Sequence, residues 1–340
     1  MRRAPTYREH PIPLFSVLTV NYNGLKHLQE CLGSLRDQEF RDFEVVLVDN
    51  ASRDESVEFV RQNFPEVRIV LSTSNLGFTG GNNLGIAHCT GEFVLFLNND
   101  TRVEPGAIGS LAKAIREYPD YRVFACALLK YSNPTLLDSG GDTLYRAGFF
   151  MTFAGCPAAP FSRPREVLSA CAGAAAYPRE LLNRLGGFDD DFFLLFEDMD
   201  LSMRARHLGA KILFVPDARI LHKGSATIGD AVSTGKLYYC TRNLVPLLLK
   251  NFPVTTLLGF APGMLLNLGL RLLHAARAGR AGALLNGCVD GLRMVPRSLE
   301  KRRAILADSK LSPKDLDRLL RTGWFREWRS LKRGNFNLNP

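Results

Sequence analysis

Three short apolar runs early in the chain end in side chains that could hold a ligand. Residues 15–20 lead into Asn21 and Tyr22, residues 44–48 into Asp49, and residues 93–97 into Asn98, Asn99 and Asp100. Ligands of open parallel sheets sit beyond the carboxyl ends of the strands, so these residues would share one edge. Asn, Asp and Gly at strand ends are also ordinary turn formers, and each position alone carries that plainer meaning. Together they suit a nucleotide. The Asn98-Asn99-Asp100 run offers one carboxylate and two amide oxygens, a donor set for Mg2+ or Mn2+ bridging phosphate oxygens. Farther along, Asp189, Asp190, Asp191, Glu197, Asp198 and Asp200 put six acids into twelve residues, interleaved with Phe192, Phe193 and Phe196. An ordinary solvated face does not carry that many aromatics. Glu197 and Asp198 open an expected helix, whose N-terminal dipole favours their ionised form. His222 follows an expected strand at 211–215, where a lone His is more often structural, and the adjacent Lys223 reads as solvated.

The elements that must position these groups read as alternating strands and helices. Strands at 15–20, 44–48, 67–71 and 93–97 are apolar throughout, and helical stretches fill 25–38, 55–63, 82–89 and 105–117. Fully apolar strands separated by helices imply βαβ units and a mostly parallel α/β sheet with helices on both faces. An apolar run follows at 122–129, then Gly/Pro-rich loops and short extended pieces over 130–165, an ordered stretch at 170–177 and the acid-led helix at 197–208. Gly173 and the alanines 174, 175 and 176 would let backbone approach a ligand closely; a tightly packed small-residue strand is the equal alternative. No Gly-x-Gly-x-x-Gly turn follows the first strand and no Gly-rich loop ends in Lys-Ser/Thr, against the dinucleotide-binding and P-loop classes. The seven cysteines form no Cys-x-x-Cys pair and no zinc spacing, which disfavours a disulfide framework and points to a reducing compartment.

The segments VLTVNYNG, VVLVDNASRDES, SNLGFTGGNNLGIAH, FVLFLNNDT and GGFDDDFFLLFEDMDLSMRAR occur in this order. Together they resemble the inverting family 2 glycosyltransferases of the GT-A fold, most of all the rhamnosyltransferase-type members. The resemblance covers residues 13–240. It implies transfer of a single sugar, rhamnose favoured, from a dTDP- or UDP-linked donor to a hydroxyl of a saccharide or lipid-linked acceptor in cell-envelope polysaccharide synthesis. It puts Val20, Tyr22 and Asp49 at the base and ribose, Asn75, Gly77 and Asn83 in the loop beneath the nucleotide, and Asn98 beside the donor. Asp100 and His222 would hold the divalent metal. Asp198 becomes the general base that takes the acceptor's hydroxyl proton, with Glu197 beside it, and Asp189 and Phe193 are expected at the acceptor. Asn98 stands where the family's first metal-binding aspartate would be, leaving one carboxylate there. Processive synthases of this fold carry a Gln-x-x-Arg-Trp segment and several clear membrane spans, and this chain shows neither. An inactive nucleotide-sugar module would be expected to lose the acid pair or Asp100, and both are present.

The 340 residues are 46% hydrophobic and 23% charged, a composition with a real core. The net charge of +9 is uneven: residues 241–340 hold 18 Lys and Arg against 6 Asp and Glu. The expected organisation is an N-terminal arm (1–12), a GT-A catalytic domain (13–240) and a basic helical region (241–340) facing something anionic. Residues 251–270 are uncharged and long enough to span a bilayer. Pro253, Pro262 and the glycines at 259, 263 and 269 argue against one continuous helix. Helices lying on the anionic inner face of the membrane, with arginines at the head groups, are one expectation; a buried helical pair is the even alternative. No apolar secretory run opens the chain, so a cytoplasmic, peripheral enzyme is expected. The basic tail has no groove-binding motif and no aromatic stacking platform, against nucleic acid as a partner.

Overall fold

A computed structural model of the chain describes residues 12–146, 150–224 and 233–320. All but Ile12 of the expected N-terminal arm lies outside these residues, as does the chain after 320. Apolar strands and helices alternate from the start: β1 (Phe15–Asn21), α1 (Leu25–Arg36), β2 (Phe43–Asp49), α2 (Ser56–Asn63), β3 (Arg68–Leu71), α3 (Gly77–Ile86), β4 (Phe93–Leu97), β5 (Thr101–Val103) and α4 (Ala107–Glu117). Then come β6 (Val123–Lys130), β7 (Asn133–Ser139), β8 (Thr143–Leu144), β9 (Phe150–Met151), β10 (Arg165–Glu166), β11 (Ala174–Pro178), α5 (Arg179–Leu185), α6 (Glu197–His207) and β12 (Ile212–His222). Helices complete the chain: α7 (Thr234–Asn251), α8 (Val254–Arg277), α9 (Ala281–Arg293), α10 (Val295–Ala307) and α11 (Pro313–Leu319).

The main sheet runs β10-β12-β6-β11-β4-β1-β2-β3, with β5 on β12 and β7 on β6. β4, β1, β2 and β3 are mutually parallel, as are β6 and β12, while β11 lies antiparallel between β4 and β6. Alternate residues of each strand feed two cores. Leu18, Val46, Val48 and Phe96 pack on one face; Val17, Val45, Leu47 and Leu95 pack on the other. Period-two side-chain alternation with both faces apolar is what a sheet covered by helices on both sides requires. Ala174, Ala175 and Ala176 belong to this packing, which favours the small-residue strand over a ligand-facing one there.

Three sequence expectations change, while the short extended pieces expected over 130–165 include β7 and the β8–β9 hairpin. α3 starts at Gly77, five residues before the expected start at 82, because side chains of Asn50 and Asn75 bind the backbone of Leu76 and Gly77. The strand expected to stop at 215 continues to His222 as β12, through a register shift between Val215 and Arg219 that accommodates Pro216. And α8 is a single helix through Pro262 and the glycines. The expected boundary at 240 also falls inside α7, half of whose residues are buried or tied into the catalytic body.

Candidate active site

The ends of β1, β2 and β4 are tied together by amides. Asn21 Nδ2 donates to Asp49 Oδ1 and to Ser52 Oγ, both at 3.2 Å, and Asn21 Oδ1 accepts from Asn99 Nδ2 at 2.8 Å. Asn50 donates to Asn75 Oδ1 and to the Gly77 carbonyl, each at 3.0 Å, which sets the loop before α3. Gly77 takes φ +70°, and its missing Cβ makes room for the Phe193 ring and carbonyl. The Phe193 carbonyl in turn accepts from Phe78 N at 2.9 Å, and Thr79 Oγ1 donates to the Phe192 carbonyl. The segment leading into α6 is thereby bolted to the start of α3. Leu195 and Phe196 both sit at φ 69°, a left-handed turn uncommon for such side chains. Asn243 Nδ2, from α7, holds it by donating to the carbonyls of Leu194 and Leu195 at 2.8 and 2.7 Å.

These ties enclose a cavity of about 300 Å³ at the strand edge. Val20, Tyr22, Asn75, Gly77, Asn98, Asp100, Phe193, Glu197, Asp198 and His222 all line it, together with Phe78, Asn99, Cys171, Gly173 and residues 194–196. Ten of the thirteen expected site residues therefore meet in one place. Three do not. Asp49 stands behind the wall, bound to Asn21 and to Ser52 N. Asn83 clamps the turn at Phe188, donating to its carbonyl at 2.9 Å and accepting from its N–H at 2.8 Å. Asp189, expected at the acceptor, is only 7% exposed and is taken up by Lys250 and Lys301. Burial alone would raise its pKa, but the two ammonium groups overcome this and hold the carboxyl below the usual range.

Two acidic centres face the cavity. At the first, His222 Nε2 lies 3.1 Å from Asp100 Oδ1 and its Nδ1 lies 2.6 Å from Asp138 Oδ2. Burial would lower the imidazole pKa; the two carboxylates reverse that and push it up to about 9. At the second, Asp198 accepts from Met199 N at 2.7 Å and from Ala172 N at 3.3 Å. Burial raises its pKa nonetheless, and it raises that of Glu197 further, with the Asp198 charge adding to the effect. The expectation that the helix dipole keeps this pair ionised is corrected here: desolvation outweighs the dipole. Glu197 is 7% exposed, and its Oε2 is buried with no hydrogen-bond partner.

Asp138 and Asp142 lie in the segment read from sequence as loops and short extended pieces, and neither was singled out. The signal was present as two acids flanking Gly140 and Gly141. Asp142, 5% exposed, accepts from Ser169 Oγ at 2.6 Å, and burial plus the Asp198 charge push it up to about 7. Asn243 and Lys250 were also missed, because their importance depends on contacts with segments distant in sequence.

The cavity suits a metal held chiefly by its ligand. Among the described residues no group of three or more His, Cys, Asp or Glu is arranged around a metal position. Asp100 and, once its imidazole has given up a proton, His222 would supply two donors on one wall to such a cation.

The model of glycosyl transferase family 2 matches residues 16–186, half of the chain. N-acetylglucosaminyl-diphospho-decaprenol L-rhamnosyltransferase of Mycobacterium tuberculosis is 28% identical over 242 residues, 63% of this chain and 77% of that protein. The S. aureus TarS fragment 1–349 with UDP-GlcNAc superposes with TM-score 0.57 at 19% identity, over 96% of this chain and 93% of that one. The mannosyltransferase PcManGT of Pyrobaculum calidifontis with GDP-Man and Mn2+ gives TM-score 0.53 at 18% identity, over 90% and 88%. The chain thus has the GT-A fold, and it belongs to the family 2 glycosyltransferases.

Proposed function

We propose that this glycosyltransferase moves one sugar, L-rhamnose first among candidates, from a dTDP- or UDP-linked donor to a hydroxyl of a lipid-linked or saccharide acceptor in cell-envelope polysaccharide synthesis. The observation that carries the reading is one cavity containing both the Asp100–His222 pair and the Glu197–Asp198 pair. The rhamnosyltransferase relative supports the sugar and the lipid-linked acceptor. Val20, Tyr22, Asn75 and Gly77 bound the part of the cavity suited to the nucleoside, with Asp49 stiffening it from behind and Asn83 fixing the neighbouring turn. Asn98, Asp100 and His222 face the diphosphate. A divalent cation, Mg2+ or Mn2+, supplies neutralisation of the leaving diphosphate when bound. Phe193, stacked on Tyr239 with ring centroids 5.7 Å apart, forms the acceptor-side wall.

In the transfer, the acceptor oxygen forms its bond to the anomeric carbon as the bond to the diphosphate breaks on the opposite face, inverting the configuration. Asp198 takes the proton from that oxygen. Its raised pKa makes it a stronger base than a solvated carboxylate, and two backbone N–H donors fix its orientation. Glu197, with its free Oε2, accepts a hydrogen bond from a sugar hydroxyl. The test is Asp198→Asn assayed with dTDP-rhamnose and UDP-sugars. Donor affinity should stay near wild type while transfer falls roughly two to four orders of magnitude, the usual worth of a positioned base. Near-normal turnover would remove Asp198 from this role.

The same reading puts the enzyme on the inner face of the membrane. Among the described residues α8 is the one helix long and apolar enough to cross a bilayer, and little of it is buried. Leu258, Leu265, Leu266, Leu270 and Leu273 are all more than half exposed. Yet α8 is held along α7 at both ends: Phe260 packs on Phe252, and Ala275 packs with Leu237 and Leu284. A helix fastened in this way lies along the surface, with its leucines toward lipid.

A further inference from the structure

A second cavity, of about 210 Å³, lies between α7 and α8 and shares Phe196 as a wall with the first. Its lining is mainly apolar, from Phe150, Phe196, Leu244 and Met264. Three polar side chains join them, Thr241, Asn267 and Arg271. Thr241 Oγ1 already donates to the Leu237 carbonyl at 2.8 Å. Arg271 is half-buried, and among the described residues no carboxylate pairs with it. It neighbours the Cys240 thiol, which burial pushes up in pKa and the guanidinium pulls down. A guanidinium drawn partly out of water without a counter-charge invites an anion, and its planar fork fits phosphate oxygens in pairs. Leu268, which lines the same cavity, is 38% exposed, and Leu266, Leu270 and Leu273 of the same helix are exposed at 59, 57 and 58%. Phe196, shared with the first cavity, is followed directly by Glu197 and Asp198.

We propose that this cavity is the phosphate subsite for the acceptor. Arg271 binds the diphosphate of an isoprenoid-diphosphate acceptor, whose sugar reaches past Phe196 to Asp198 and whose hydrocarbon lies over the leucines of α8. The proposal rests on the lipid-linked acceptor inferred above and adds where its charged group is held. The subsite is distinct from the donor's: it offers a fixed cation in place of a carboxylate and a metal.

Calorimetry on the full chain with geranyl diphosphate tests it, in EDTA so that no metal at Asp100 can capture the diphosphate. Wild type should bind geranyl diphosphate at least tenfold more tightly than inorganic pyrophosphate or geraniol. Arg271→Gln should weaken it tenfold or more, and Arg271→Lys by less. Met264→Phe, which keeps the charge but fills the cavity, should weaken it also, so the test survives failure of one variant to fold. Equal affinity in wild type and Arg271→Gln overturns the proposal. Pyrophosphate binding as tightly as geranyl diphosphate overturns it in favour of a free-phosphate site. Arg271-dependent adhesion to phosphatidylglycerol vesicles without affinity for geranyl diphosphate overturns it in favour of bulk head groups. Because this readout needs no donor and no transfer, it is independent of the Asp198 test: transfer to a soluble saccharide with no geranyl diphosphate binding would sink the subsite alone.

Discussion

Burial shifts the carboxylates of this site in different directions according to what each one meets. Asp100 is desolvated, but the His222 hydrogen bond overrides that and holds its pKa below the usual range. Asp198 and Glu197 are desolvated with no cationic partner among the causes of their shifts, and the backbone N–H groups and the Cys171 thiol near Asp198 do not offset that, so both rise. If Asp198 must be ionised to accept a proton, the acid limb of the kcat/KM profile should lie above the ordinary carboxylate range of about 4. Asp198→Asn should abolish that limb. Asp142 offers a cleaner test of the same physics. Its folded pKa of about 7 exceeds the unfolded value of about 3.9, so the folded state holds the extra proton between those values. Stability from this group is complete below about pH 4 and is lost as pH rises through about 7. Asp142→Asn should therefore gain in thermal midpoint over wild type as pH rises, most of all above pH 7. A midpoint difference that is flat with pH would show that Asp142 does not titrate in that window. At the first centre, chelation with EDTA and Asp100→Ala should each weaken nucleoside diphosphate binding. Equal affinity in all three samples would exclude a metal at Asp100.

At the scale of the element, α6 is a polar helix placed where an apolar one would be expected. Almost its whole length is buried, and apart from Glu197 Oε2 its charged groups are met largely by neighbours rather than by water. Arg204 donates to Asp200 and to the carbonyls of Leu185 and Gly187; Arg206 donates to the carbonyls of Leu168 and Val167. From α7, Lys250 reaches Asp200 and Asp189, and Asn251 donates to Asp200 at 2.8 Å. Removing one partner of a buried ion pair leaves the other uncompensated, so Lys250→Met should cost about 3–5 kcal/mol of stability. Urea unfolding at pH 7 measures it, and adding Asp200→Asn should recover part of the loss. A chain ended near 245 would lose Lys250 altogether, so it should be unstable rather than a freely soluble catalytic domain. The start of α3 makes a second prediction. A Cβ on Gly77 would stand 2.5 Å from the Phe193 ring and 2.7 Å from its carbonyl. Gly77→Ala should displace the 192–196 segment and lower donor affinity, with a stability loss of about 1–3 kcal/mol from the left-handed backbone. Unchanged nucleotide binding would show that this contact does not shape the donor wall.

The whole molecule combines a near-neutral catalytic body with a basic helical flank bearing exposed leucines. Basic residues near an anionic surface contribute roughly 1 kcal/mol each, and the leucines add apolar area. The full chain should therefore sediment with membranes and be released by high salt or alkaline carbonate. Release by detergent only would mean that α8, about 36 Å long at 1.5 Å per residue, crosses the bilayer. Replacing Leu265, Leu266 and Leu273 by Gln should free the protein without salt while leaving its thermal midpoint near wild type, because these side chains are more than half exposed.

Local information was enough to find the strand edge and the acid pair. Strand-end residues are marked by where an apolar run stops, and fully apolar strands between helices imply a sheet buried on both faces. The family motifs suggested the roles proposed for Asp100 and Asp198 on the same local basis. The fate of each acid was not local. Asp189 and Asp198 stand nine positions apart in one acidic stretch, yet the first is neutralised by Lys250 and Lys301, 61 and 112 positions away, and the second lines the cavity. The left-handed turn at Leu195 and Phe196, held by Asn243 from 48 positions farther on, separates them. Proline rules also misread two elements. In β12 a register shift absorbs Pro216, and in α8 the helix continues past Pro262 despite the hydrogen bond its ring cannot make. Propensity is a property of a few neighbouring residues, whereas charge compensation, burial and the continuity of an element are set by what packs against it, and only the tertiary structure brings those partners together.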